Sequence, residues 1–83
     1  MATYIGLVRK DPNSDFGVDF PDFPGCVTGA RTIKKVRNMA QEALELHIEA
    51  MMEEGLPIPA PSSWEKIIKD HDQPDVMMIP VII

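Results

Sequence analysis

The chain has 83 residues, of which 45% are hydrophobic and 25% charged, and its formal net charge is −5. So short a chain cannot divide its apolar content between two cores, so we expect one domain over residues 1–83. The single Cys excludes an intrachain disulfide. No signal-like segment opens the chain and no apolar stretch reaches the length of a membrane span, so a cytoplasmic protein without a membrane anchor is expected.

The first third of the chain predicts three strands. Residues 3–9 are rich in β-forming side chains and end at a cluster of turn-forming residues over 10–15. Residues 16–20 alternate apolar with small or polar side chains, which is the period of a half-buried strand. Two prolines in the segment PDFPG then interrupt the ladder, and 26–30 can form a third strand. We expect these strands to pair as an antiparallel meander.

A long helix is predicted after Thr32, which is a good N-cap residue. Gly55 suits the C′ position and Pro57 blocks continuation, so the helix should end just before them. Glutamates form a separate stripe that should face solvent. The apolar residues recur at spacings of three and four: Ile33, Val36, Ala40, Ala43, Leu44, His47, Ile48 and Met51.

The last third predicts a stiff proline segment over 57–61, a short helix over 64–69 capped by Ser62 or Ser63, and a final strand within 75–83. The lack of alternation in this strand predicts burial on both faces, although Pro80 requires an edge or a bulge on one side. The order β-β-β-α-(α)-β predicts an α+β two-layer domain.

Three segments resemble the HicB antitoxin family. They are DFGVDFPDFPGCVTGART over 15–32, EALELH over 42–47 and GLPIPAPS over 55–62. Together they cover most of the chain in the right order. The resemblance implies a partial RNase H-like fold, with a sheet packed on one long helix. It also implies a partner: a HicA-like toxin, which is a small, basic, RNA-cleaving protein with a catalytic histidine.

The chain departs from the family pattern in two places. Many members continue into a C-terminal DNA-binding domain, whereas no second domain follows Ile83, so we expect DNA binding to be doubtful for this chain. The family usually has acidic residues in the first helical turn, where this chain has Lys34 and Lys35. Cations there oppose the helix macrodipole.

We therefore expect a binding protein that occludes the active site of its toxin, with no catalytic residue and no cofactor. Asp19, Asp22 and Phe23, on the second strand and the following turn, are the candidate contacts. The phenylalanines and prolines of this turn should serve first to fix the backbone and fill the core. Cys26 and His47 are better explained as core residues than as a nucleophile and a metal ligand.

One basic cluster interrupts an otherwise acidic sequence: Arg31, Lys34, Lys35 and Arg37. It offers a docking patch for an acidic partner or for RNA phosphates. Solvated charge is the favoured interpretation, because phosphate affinity requires several well-placed contacts.

The sequence also leaves other hypotheses open. The alternative function is an orphan oligomeric module that binds another ligand or nucleic acid without a toxin. Metal-dependent hydrolysis is disfavoured because no acidic residue lies inside the first or last strand, and Asp11, Asn13 and Asp15 mimic a calcium loop only in part. A homo-dimer or tetramer is expected, because the apolar final strand leaves backbone groups that another subunit can pair with.

Overall fold

The computed structural model describes residues 1–10, 12–13, 15–71, 73 and 75–83. Within these ranges the strands form one antiparallel sheet of order β3-β2-β1-β4. The predicted α+β class, the order of the elements and the meander of the first three strands are confirmed. The elements are β1 (Thr3–Lys10), β2 (Phe16–Asp19), β3 (Val27–Ala30), α1 (Ile33–Glu53), α2 (Trp64–Asp70) and β4 (Met77–Ile82).

The central strand β1 is buried on both faces and carries the two sides of the core. Tyr4 and Val8 belong to the larger cluster beneath α1, which also contains Phe20 and Val81. Alternate side chains of β1 point the other way. Ile5 and Leu7 therefore pack against α2 on the opposite face, with Ile67 the α2 side chain in that cluster. The sheet and α1 form the main layers, and α2 adds a small cover to the second face.

The prediction that the final strand is buried on both faces is wrong. β4 lies at the sheet edge and pairs with β1 from Thr3↔Ile82 to Val8↔Met77. Met77 and Ile82 are about half exposed, at 47% and 52%, whereas Val81 is buried. Of the edge or bulge predicted from Pro80, the structure shows the edge, where a residue without an N–H is tolerated because no further strand must be bonded.

One apolar stripe holds α1 on the sheet, as the spacing predicts. Thr32 occupies the N-cap position in an extended conformation, but its side chain makes no cap hydrogen bond. In the described part of the chain, no helix is long and apolar enough to cross a membrane. The buried members of the stripe are Val36, Ala40, Leu44 and Ile48. Ile33, which the spacing also assigns to the stripe, is 51% exposed at the start of the helix.

A glycine cap ends α1 where the sequence predicts it. Gly55 has φ +71°, in the left-handed region that favours glycine. Its N–H donates to the Met52 carbonyl at 3.1 Å, and the Leu56 N–H donates to the Met51 carbonyl at 2.9 Å. These two bonds form a Schellman motif, which satisfies carbonyls that the helix itself leaves free.

Candidate protein-binding surface

The turn between β2 and β3 is built around a buried ring. The Phe23 side chain is 1% exposed and makes edge-on contacts with the rings of Tyr4 and His47, at centroid distances of 4.8 and 5.8 Å. The backbone closes around it, since Cys26 N–H donates to the Phe23 carbonyl at 3.0 Å. Phe23 thus has the core role that the turn composition suggests. Because the ring fills the core under α1, Phe23 offers a partner little side-chain surface, and its part in partner binding stays a prediction.

Asp22 fastens this turn to the segment after α1. Its carboxylate accepts hydrogen bonds from the Ser62 N–H at 2.9 Å and from the Ser62 hydroxyl at 2.5 Å. Nearby, the Tyr4 hydroxyl donates to the Pro59 carbonyl at 2.6 Å. Burial raises the pKa of Tyr4, and the negative charge of Asp22 raises it further. The proline segment is therefore held against the start of the chain, and Asp22 has a structural partner.

Asp19 lies elsewhere, on the sheet face that α1 does not cover. It forms an ion pair with Arg9, and both side chains are about two-fifths exposed. An ion pair in such contact with water contributes little to stability, at roughly 0–1 kcal/mol. The structure therefore does not gather Asp19, Asp22 and Phe23 into one surface, and their part in partner binding stays a prediction.

The four basic residues are all exposed but do not form one face. Arg31 precedes α1, and helical periodicity places Lys34 and Arg37 on the flank toward β4 and Lys35 on the outer surface. No ion pair to any of them is found within the described ranges. Four separated, hydrated cations agree better with solvated charge than with a phosphate site.

No catalytic arrangement surrounds the single thiol. Cys26 is 3% exposed, its sulfur lies 3.8 Å from the Ala43 carbonyl oxygen, and burial raises its pKa, so the unreactive thiol form is favoured. The described residues contain no group of three or more His, Cys, Asp or Glu side chains that could hold a metal ion. Asp11, which the calcium-loop hypothesis requires, lies outside the described residues.

A groove that the sequence does not reveal lies between the C-terminal half of α1 and the end of β4. It has a volume of about 420 Å³, an apolar floor and an acidic rim. The sequence predicts the Glu stripe of α1, but not that Ile83 comes to lie beside it. We call this surface the acidic groove; its lining residues are Glu45, Ile48, Glu49, Met52, Glu53 and Ile83.

A four-stranded antiparallel sheet backed by one long helix defines a small α+β domain, and the acidic groove lies on one flank of that helix. Residues 4–83 match the HicB-like antitoxins of bacterial toxin–antitoxin systems, and the chain belongs to this family. The resemblance drawn from the FPD turn and the α1 segments is thereby confirmed. The family is one of antitoxins and not of enzymes, as predicted.

Individual relatives support the same assignment. The chain is 30% identical over 66 residues to the uncharacterized 14.9 kDa protein in the rep-hol intergenic region of Haemophilus phage HP1 (strain HP1c1), covering 80% of this chain and 50% of that protein. This chain therefore spans half the length of the phage relative.

Solved structures extend the likeness to toxin–antitoxin complexes. The antitoxin HicB of Burkholderia pseudomallei superposes with a TM-score of 0.87 at 26% identity, over all of this chain and 64% of that one. A chain of the HicA3 and HicB3 toxin–antitoxin complex superposes with a TM-score of 0.75 at 28% identity, over 96% of this chain and 95% of that one. The chain is thus a HicB-like antitoxin, structurally similar to antitoxins found in complexes with HicA toxins.

Proposed function

We propose that this chain binds a HicA-like RNA-cleaving toxin and covers its active site. The observation that carries the proposal is the acidic groove, on a chain of net charge −5 that belongs to an antitoxin family. The similarity to a chain of the HicA3–HicB3 complex supports a partner of this class. The toxin that the family implies is small and basic, so the charges of the two proteins are complementary.

The groove is suited to one apolar side chain flanked by basic ones. Its floor is formed by Ile48, Met52 and Ile83, and Met52 is 67% exposed. An apolar residue of the toxin gains free energy by entering, at about 25 cal/mol per Å² of apolar area removed from water. Glu49 and Glu53 on the rim are placed to pair with Lys or Arg beside that residue. RNA is then excluded sterically from the toxin surface that the antitoxin covers.

Co-expression with the small basic protein encoded beside this chain, followed by co-purification and an RNA-cleavage assay, tests the function. We expect a stable complex that does not cleave RNA. A neighbouring toxin that neither binds nor is silenced would refute the proposal and leave an orphan HicB-like module with another ligand.

Charge reversal tests the acidic groove separately. The double variant Glu49→Lys/Glu53→Lys should weaken toxin binding by about tenfold or more, equivalent to about 1.4 kcal/mol, because attraction to a basic partner becomes repulsion. Glu65→Lys/Asp70→Lys, which changes the net charge by the same amount at two exposed residues of α2, should bind like the wild type. If the wild type binds and the double variant binds equally well, the toxin occupies another surface.

A further inference from the structure

The edge of the sheet at β3 has more backbone groups available for pairing with a new strand than the edge at β4. Ala2 and Ile83 exchange both backbone hydrogen bonds, at 3.0 and 2.9 Å. Since residues of a strand bond alternately to the two sides, this pair determines which backbone groups of every strand point to which neighbour. At the β4 edge, Pro80 has no N–H and the Ile82 carbonyl already accepts from the Gln41 side chain at 2.6 Å. The subunit pairing predicted from the apolar final strand is therefore poorly supported at β4.

At β3, the same alternation leaves the backbone N–H and C=O groups of two residues without a neighbouring strand. Following the register from β1 through β2, Val27 and Gly29 direct their N–H and C=O groups away from the sheet. The Val27 side chain is 68% exposed, and β3 contains no proline. An uncovered edge of this kind is a template for a strand of another chain.

The flank of α1 beside this edge carries an unpartnered apolar stripe. Met39, Ala43, Leu46 and Ala50 follow one another at intervals of four, three and four residues, the spacing of a helix–helix seam. The first three line a shallow cleft of about 160 Å³ together with Thr28 of β3 and one acidic residue, Glu42. Leu46 is 60% exposed and Met39 37% exposed, so two large apolar side chains of the stripe are left in contact with solvent.

A second concavity continues the stripe toward the end of the helix. Ala50 and Glu54 lie in a groove of about 320 Å³ between α1 and the β2–β3 turn, which also contains Phe23, Pro24 and His47. The stripe therefore combines two protruding side chains, Met39 and Leu46, with small residues beside concave surface.

The stripe is complementary to itself in the antiparallel direction. If a second copy is placed with its Ala50 opposite Met39, its Leu46 comes opposite Ala43, and twofold symmetry repeats both contacts. Each large residue then meets a small one, as interdigitated packing requires. In the same register, Lys35 comes opposite Glu54 of the second copy.

The charges of α1 favour the same arrangement. The basic residues of the helix all lie before residue 38, and its acidic residues all lie after residue 41. Antiparallel association places the basic end of each helix beside the acidic end of the other, whereas parallel association would oppose like charges.

We propose that two copies of this chain associate through the α1–β3 face, with the Met39–Ala50 stripes packed antiparallel and the β3 edges side by side. Such an interface is isologous, so each contact occurs twice. The acidic groove lies on the other flank of α1, as its Ile83 contact and the Gln41–Ile82 hydrogen bond show. Self-association therefore leaves the proposed toxin surface free.

Light scattering coupled to size exclusion tests the interface directly. We expect a dimer for the wild type at micromolar concentration and a monomer for Leu46→Glu, with the circular dichroism of the fold unchanged. Met52→Glu is the matched control, because Met52 lies on the same helix at 67% exposure but on the opposite flank. It should remain a dimer. A monomeric wild type, a dimeric Leu46→Glu or a monomeric Met52→Glu would each overturn the proposal.

A charge exchange between Lys35 and Glu54 tests the same interface without changing its apolar stripe, and so serves if Leu46→Glu does not fold. Lys35→Glu or Glu54→Lys alone should raise the dimer Kd by about tenfold at low salt, since two exposed pairs change from attraction to repulsion. The two substitutions together should restore the wild-type Kd. Lys34→Glu, on the other flank, should leave it unchanged. Failure of the double variant to recover would contradict the antiparallel register.

Discussion

The Tyr4 hydroxyl donates to the Pro59 carbonyl, while the ring of the same residue packs edge-on against Phe23. A single side chain thus joins β1, the β2–β3 turn and the segment after α1. Burial and the nearby Asp22 carboxylate both disfavour the phenolate, so the pKa of Tyr4 is raised above its ordinary value of 10.0. Because the pKa of Tyr4 is higher in the folded chain than in the unfolded chain, the stability of the fold should depend on pH in the alkaline range.

Tyr4 should ionise at higher pH in the folded chain than in the urea-unfolded chain. Its contribution to stability is fully present below pH 10.0, its unfolded value, and is lost as the pH rises through the higher folded value. Since the chain contains one Tyr, the tyrosinate absorbance reports this residue alone. Equal midpoints for the folded and unfolded chains would contradict the prediction.

The variant Tyr4→Phe supplies the control for that titration. It removes the hydrogen bond to Pro59 and should lower the free energy of unfolding at neutral pH by about 0.5–1.5 kcal/mol. It should also remove the part of the alkaline loss of stability that belongs to this phenol, which urea unfolding at several pH values measures.

At the level of single elements, α1 is stabilised unequally at its two ends. Its first turn contains no acidic residue, and its N-cap Thr32 makes no side-chain cap bond. Its C-terminus is closed by the two Schellman hydrogen bonds around Gly55. The helix therefore depends on its buried stripe and on this glycine, because the usual N-terminal contributions are missing.

Gly55→Ala should lower the free energy of unfolding by about 1–2 kcal/mol, because a Cβ is strained at positive φ. Gly17→Ala is the matched control. Gly17 is an exposed strand residue without a positive φ, and an added Cβ would lie 3.9 Å from the nearest backbone oxygen. Its effect should stay within about 0.5 kcal/mol, as for ordinary surface changes. Urea midpoints for the two variants decide the matter, and equal values would argue against strain at Gly55.

Across the whole molecule, the two flanks of α1 carry different chemistry. The flank toward β4 forms the acidic groove, and the flank toward β3 carries the uncovered apolar stripe. One helix can therefore serve a basic partner on one side and a second copy on the other. The net charge of −5 acts over a longer range than either surface and bears on how fast a basic partner arrives.

Association with the proposed toxin should be fast at low ionic strength and should slow as salt is added. Raising the salt toward physiological strength shortens the Debye length to about 8 Å, so the association rate should fall by about tenfold or more while the dissociation rate changes little. Stopped-flow mixing at several salt concentrations measures both rates. An association rate independent of salt would show that charge steering is not used, whichever surface makes the contact.

The sequence by itself determined the local elements and the family. The period of two in β2 and the spacings of three and four in α1 show which side of each element is buried, so the strand and the helix were predicted correctly. Gly55 and Pro80 restrict the backbone, so the end of α1 and the edge position of β4 could also be predicted. The FPD turn and the helix segments also carry enough of the family's pattern to identify it before the fold is known.

Only the tertiary structure decided which elements cover one another. An apolar run such as β4 reads the same at the centre of a sheet as at its edge, and β1 proved to be the strand buried on both faces. Asp22 meets Ser62 across 40 residues of sequence, and Ile83 meets the Glu stripe of α1 to form the acidic groove. Periodicity determines which face of an element is apolar, but the distant partner of that face depends on how the whole chain packs.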